Sequence, residues 1–127
     1  MAVQRAGGGA LSDRVVIVTG AAQGVGKGIA GALLERGASV QLVDNNADVL
    51  AATMDEIASA TGLSASLIAD LRDPDSPGII VDAALSRFGR VNALVNNAIA
   101  TNEPKALVDI TSEDYDLVFD VGPRVRE

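Results

Sequence analysis

Thr19-Gly20-Ala21-Ala22-Gln23-Gly24-Val25-Gly26 decides how the rest of this chain is read. The segment follows Arg14-Val15-Val16-Ile17-Val18-Thr19, an aliphatic run with a polar start that stops at the glycines, as a buried parallel strand does. From Gly24 to Arg36 the apolar residues Val25, Ile29, Ala30, Leu33 and Leu34 recur at helical spacing, and Gly37 supplies a stop. A strand that feeds a helix through such a turn brings unsatisfied helix N–H groups and the positive end of the helix dipole to its mouth. Glycine lets the backbone turn sharply there and lets a pyrophosphate approach the amides. The segment therefore reads as the phosphate-binding end of a nucleotide domain, with Gly20, Gln23, Gly24, Val25 and Gly26 as candidate cofactor-binding residues. Glycines that merely turn the chain are the competing reading. The context favours the first: a strand before, a helix after, and an acid closing the next strand.

Outward from this turn the pattern repeats. Ser39 to Val43 reads as a second strand ending at Asp44, and Asn45 or Asn46 can cap a helix to about Ala60, with Val49, Leu50, Met54, Ile57 and Ala58 on one face and Gly62 ending it. Ala65 to Ala69 makes a third strand closing on Asp70. Ser76-Pro77 supplies an N-cap and first helical residue for a helix carrying Ile79, Ile80, Ala83, Ala84 and Phe88, stopped by Gly89. Val91 to Val95 is a fourth strand running into Asn96-Asn97, residues 99–110 are loop-like, and Thr111 with Asp114 resembles a capping box opening a last helix that Gly122-Pro123 interrupts. Strand and helix alternate throughout, which implies a parallel sheet with right-handed crossovers. The expected fold class is α/β, a partial doubly wound, Rossmann-like parallel sheet of about four strands with flanking helices. Residues 1–12 read as a flexible N-terminal tail and residues 13–127 as the domain.

Composition narrows the function classes. The chain has 127 residues, enough for one domain, and 48% are hydrophobic while only 2% are aromatic, so Val, Leu, Ile and Ala must build the core. The net charge is −7, with no basic face of the kind that displaces counterions from nucleic acid. There is no Cys and no His, which removes Cys/His zinc sites, thiol chemistry and any Ser-His-Asp triad; no metal site is expected. No apolar run approaches the ~20 residues of a membrane span, and the N-terminus lacks the apolar segment of a signal peptide, so a cytoplasmic protein with no membrane partner is expected.

Asp44 stands where a carboxylate accepts hydrogen bonds from the adenosine ribose hydroxyls, and the same charge repels a 2′-phosphate. The expected partner is thus a nicotinamide dinucleotide, NAD in preference to NADP. Capping of the following helix is the alternative role for Asp44, and the two can coexist. With Asp44 in place, the Thr-Gly-x-x-x-Gly-x-Gly spacing, Asp70-Leu71 after strand 3 and Asn96-Asn97-Ala98 after strand 4 together resemble a short-chain dehydrogenase/reductase. The resemblance runs from about Arg14 to Gly122 and covers the first half of that family's usual domain. It implies that Asp70 hydrogen-bonds the adenine amino group, that Leu71 packs beside the ring, that Asn96 ties strand 4 to its neighbour, and that Asn97 and Ala98 line the cofactor cleft. It also implies oxidoreductase activity, hydride transfer between NAD and an alcohol or carbonyl.

The chain departs from that family in ways that bear on chemistry. A tyrosine acid/base with a lysine four residues later is expected, so that the cation lowers the phenol pKa on one helix face. The one tyrosine here is Tyr115, with Phe119 four places on, and the only lysines, Lys27 and Lys105, precede it. Tyr115 reads as a packing residue, and no catalytic residue is assigned. Ile99 replaces the glycine expected after Asn-Asn-Ala, and Gly122 stands where an asparagine is expected in the last helix. The sequence reads as a truncated, interrupted or partly recorded gene product, the alternative being a genuine short protein that holds NAD without turnover or partners a complete family member. Without a fifth strand, the Val91–Val95 edge is expected to present unpaired backbone groups and to promote self-association.

Overall fold

The computed structural model describes residues 10–57 and 62–98. Its elements follow in the order β1 (Val15–Thr19), α1 (Gly24–Glu35), β2 (Ser39–Asp44), α2 (Ala47–Glu56), β3 (Ser64–Ile68), α3 (Ser76–Phe88) and β4 (Ala93–Val95). All strand pairs are parallel and the order across the sheet is β3-β2-β1-β4. The chain moves outward from β1 to β3, then crosses back through α3 to place β4 on the other side of β1. That reversal is the topological switch beside which ligands settle in open α/β sheets. The loop of residues 99–110, the helix expected from Thr111 and Tyr115 lie outside the described residues.

Side-chain alternation along the strands builds two cores. Val16, Val18, Val40 and Leu42 point to one face and pack with Ala30 and Leu34 of α1 and Leu50 of α2. Ile17 and Val43 point to the other and pack with Ile80 and Ala84 of α3. The sheet is thus covered on both sides, which is why β1 is buried along its whole length and reads as an unbroken aliphatic run. A long polar side chain also enters this interior: Gln41, buried on the α3 side, donates from Nε2 to the Ile80 carbonyl at 2.8 Å. The bond satisfies an amide whose burial would otherwise be costly.

Several boundaries differ from those the pattern predicts. Leu11, expected in the flexible tail, packs against the first core and its N–H donates to the Arg36 carbonyl at 3.0 Å. Helix α2 stops at Glu56 with Ile57 as its C-cap, and Gly62 donates instead to the Leu34 carbonyl at 3.0 Å, at the far end of α1. Asp75, not Ser76, is the N-cap position of α3; Ser76 is its first helical residue and lies buried. Ile79 is exposed, since the sheet-facing stripe of α3 runs through Ser76, Ile80 and Ala84. β3 begins one residue early, at Ser64 paired with Val40. β4 is shorter than expected for a local chemical reason: at its entrance the Asn92 side-chain oxygen, in place of a backbone carbonyl, accepts from Val15 N–H at 2.8 Å, while Asn92 N–H donates to Val15 O at 2.8 Å. The side chain takes over a ladder bond and the regular strand starts after it.

Candidate nucleotide-binding site

Because every strand runs the same way, the C-terminal ends of β1, β2, β3 and β4 meet at one edge of the sheet. The β1–α1 turn stands at its centre. Gly20 and Gly24 both have left-handed backbone, φ +64° and +60°, which a side chain would strain. Between them the chain reverses, and Gly26 is brought against Gly20. A Cβ on Gly26 would lie 2.1 Å from the Gly20 carbonyl oxygen and 2.6 Å from Asn97 Nδ2. A Cβ on Gly20 would lie 2.9 Å from the Ala98 Cα. The turn therefore closes only because two side chains are missing.

Strand β4 holds that turn in place through one hydroxyl. Thr19 Oγ1 donates to the Val95 carbonyl at 3.3 Å and accepts from the backbone N–H groups of Asn97 and Ala98, each at 3.1 Å. One donor and two lone pairs are all that a threonine hydroxyl offers, and all are used. Asn97 Nδ2 then donates to the Gly20 carbonyl at 3.1 Å. The tie between β4 and its neighbour, expected from Asn96, is thus made by Thr19, Asn97 and Asn92. Asn96 Oδ1 is buried with no hydrogen-bond partner among the described residues.

The helix end that faces the turn is left open to a ligand. Gln23 is the N-cap residue of α1, its side chain makes no capping bond, and no acidic residue occupies the first turn. The first intrahelical bond runs from Lys27 N–H to Gln23 O at 3.3 Å, so the N–H groups of Gly24, Val25 and Gly26 precede the ladder. A Cβ built on Gly24 meets nothing within 4 Å among the described residues, so the space beside Gly24 is open to them. Val25 is 71% exposed at the same end. By contrast, α2 is capped by Asn46, whose side chain accepts from Val49 N–H at 3.1 Å, and carries Asp48 in its first turn.

Asp44 closes the other side of the turn. Its Oδ2 accepts from Ala22 N–H at 3.1 Å and its Oδ1 from Asn46 N–H at 3.0 Å. Asp44 therefore supports the cap of α2 without being the cap. Each oxygen keeps a lone pair, and no cation pairs with this carboxylate among the described residues. Lys27 of α1 instead pairs with Glu56 of α2. Asp70 lies farther along the same edge and is held within its own turn. Arg72 reaches it with the backbone N–H at 2.9 Å, Nε at 3.2 Å and Nη2 at 3.1 Å. The guanidinium hydrogen bonds, with the backbone one behind them, hold the Asp70 carboxyl below the ordinary aspartate range. Leu71 is half-buried against the α3-side core.

The structure thus gathers Gly20, Gly26, Asn97 and Ala98 into one contact and joins Ala22 to Asp44. It gives Asp70 and Leu71 no bond to the glycine turn. Three contributors went unread in the sequence: the Thr19 hydroxyl as a hub, Asn92 as a strand pin, and Thr53 of α2, whose buried hydroxyl donates to the Ala22 carbonyl. The signal for Thr53 was present, a small polar residue inside the apolar stripe of Leu50, Met54 and Ile57. Among the described residues no group of three or more acidic, Cys or His side chains is placed to hold a metal ion, and no helix is long and apolar enough to cross a membrane.

Comparison with known proteins decides what this edge belongs to. The family profile for short chain dehydrogenase matches residues 14–122. The chain belongs to the short-chain dehydrogenase family. Within it, the chain is 37% identical over 117 residues to a hydroxynaphthalene reductase-like protein, Arp2, of Metarhizium majus, covering 91% of this chain and 43% of that protein. A short chain dehydrogenase from Mycobacterium paratuberculosis, solved bound to NAD, superposes with a TM-score of 0.80 at 31% identity, covering 89% of this chain and 46% of the other. A metagenomic short-chain oxidoreductase solved in complex with NADP gives a TM-score of 0.80 at 33% identity, covering 87% of this chain and 50% of the other. This short-chain dehydrogenase chain spans less than half the length of the curated relative it matches.

Replacing Thr19 by Val removes the hub and strands the Ala98 N–H beside the turn, while the Asn97 N–H keeps its second acceptor, the Val95 carbonyl at 3.1 Å. We expect Thr19→Val to lose about 2 kcal/mol of stability, a cost of the size of an unsatisfied buried donor, and Thr19→Ser to retain most of it. Urea midpoints of the three proteins check this; a Val variant as stable as the parent contradicts the hub role.

Proposed function

We propose that this chain holds NAD at the β1–α1 turn and is the nucleotide-binding portion of an oxidoreductase acting on an alcohol or carbonyl. The observation that carries the reading is the open N-terminus of α1 beside Gly24, without a side-chain cap, facing the same edge as a carboxylate that no cation pairs with among the described residues. The N–H groups of Gly24, Val25 and Gly26 suit a pyrophosphate, with Gln23 at the rim, since they supply donors and a favourable dipole in one place. The free lone pairs of Asp44 suit the ribose hydroxyls of the adenosine half. Asn97 and Ala98 form the wall of the cleft nearest Gly20. Asp70 and Leu71 are the proposed adenine neighbours, with Asp70 presenting whatever acceptor capacity Arg72 leaves it.

When bound, the nicotinamide supplies a hydride acceptor or donor. The residues on this chain orient and retain the dinucleotide. No Tyr-x-x-x-Lys pair is present in the 127 residues, so proton transfer to substrate is not assigned to any of them. That same inventory supports a second reading, an NAD-holding module that turns nothing over by itself. Relatives solved with NAD and with NADP show that the fold admits either nucleotide. Our preference for NAD rests on Asp44, whose charge a 2′-phosphate would meet with no cation paired to it among the described residues.

Calorimetric titration of the folded chain should give saturable binding of NAD and at least about tenfold weaker binding of NADP, a difference near 1.4 kcal/mol. Asp44→Ala should weaken NAD and shrink the ratio between the two. Absence of saturable NAD binding, or equal affinity for both nucleotides, contradicts the proposal.

The sheet edge motivates a further part of the reading, self-association. Among the described residues β4 is an outer strand, and Leu94 is 47% exposed on it. Outer strands with apolar side chains pair with others unless blocked. Sedimentation of the chain over a concentration series should show reversible self-association, and a clean monomer at the highest concentration contradicts it.

A further inference from the structure

The two glycine hinges of the β1–α1 turn, Gly20 and Gly24, bracket a residue that is fixed from outside the turn. Ala22 is buried, its N–H donates to Asp44 Oδ2 at 3.1 Å, and its carbonyl accepts from the Thr53 hydroxyl. These groups belong to the two peptide planes on either side of the Ala22 Cα. Both planes are therefore oriented, one from the end of β2 and the other from the middle of α2. The plane that Thr53 holds is the one that leads into Gln23 and the N–H groups of the first turn of α1.

Thr53 itself is conspicuous in its surroundings. It is 2% exposed, on the stripe of α2 that also buries Leu50. An apolar residue of that size would pack there at no desolvation cost, whereas a buried hydroxyl is costly unless bonded. A helical threonine commonly bonds a carbonyl of its own preceding turn. Thr53 instead reaches out of its helix to the glycine turn. The Asp44 carboxylate is coupled to the same point, since Ala22 N–H holds one of its oxygens while Asn46 N–H holds the other.

We propose that Thr53 is a positioning residue for the nucleotide: through the Ala22 carbonyl it sets the direction of the phosphate-facing amides, and through the Ala22 N–H the orientation of the Asp44 carboxylate. The inference rests on the NAD-binding reading above. Thr53 touches neither phosphate nor ribose in this scheme; it acts through Ala22.

The test compares Thr53→Val, which keeps the shape and removes the hydroxyl, with Thr53→Ser, which keeps the hydroxyl. Two quantities are measured on the full chain: hydrogen exchange of the Ala22 amide without nucleotide, and NAD affinity by calorimetry. We expect Thr53→Val to speed Ala22 exchange about tenfold and to weaken NAD about tenfold, on the order of one hydrogen bond, while the amides of β1 keep their protection. Thr53→Ser should stay close to the parent in both. Unchanged Ala22 exchange in Thr53→Val overturns the proposal, as does a Ser variant as impaired as the Val variant, which would mark a packing role. Should the parent chain bind no NAD, the nucleotide reading fails, and Ala22 exchange alone still decides for or against the clamp.

Discussion

Gly26 rests against the carbonyl of Gly20 at a separation that admits no Cβ, and the end of β4 presses on the same point through Asn97 and Ala98. Three pieces of chain distant in sequence, the end of β1, the first turn of α1 and the end of β4, meet there. Their contact requires β4 beside β1, and so the crossing of the sheet by α3. It also uses the hydroxyl at Thr19, which satisfies the Ala98 N–H and shares the Asn97 N–H with the Val95 carbonyl. An extra methyl at the contact would meet backbone on one side, where relief needs movement of a whole strand end, and overpacking of that kind is costly. The aliphatic cores on the two sheet faces hold the layers together. This contact gives the turn one shape.

The chemistry available at the edge follows from how charge is distributed around that shape. The N-terminus of α1 offers donors and partial positive charge, with no side-chain cap and no acidic residue in its first turn. Asp44 supplies full negative charge at the end of β2, held by backbone N–H groups and not by a cation. The two therefore ask for different parts of one ligand, an anionic part at the helix and hydroxyls at the carboxylate. Two ion pairs stand elsewhere among the described residues, Lys27 with Glu56 and Arg72 with Asp70. The second pair is exposed, so it contributes little to stability, and what it gives is lost as pH falls far enough to protonate a carboxyl already held below its ordinary range.

Much of this was legible in the residues. The glycine spacing, the aliphatic strand before it and Asp44 after the next strand define the turn and its acid by local pattern alone, and helix periodicity placed Leu34, Leu50 and Ile80 in the core. What the sequence hid was contact between distant segments. Nothing local says that Thr19 will bond residues 76 to 79 positions away, or that Thr53 will leave its helix to reach Ala22. Asn92 was concealed for the same reason: a side chain that substitutes for a backbone acceptor looks like one more strand residue. Asp70 differs again, because Arg72, two residues on, turns an apparently available carboxylate into half of an ion pair.

The most direct test is a two-dimensional amide NMR titration of the isotopically labelled chain with NAD. The account predicts saturable shifts centred on Gly24, Val25 and Gly26, extending to Ala22 and Asn46 through the Asp44 carboxylate, while the amides of α3 stay still. Shifts confined to α3 or β4, or none that saturate at the glycine turn, would contradict it.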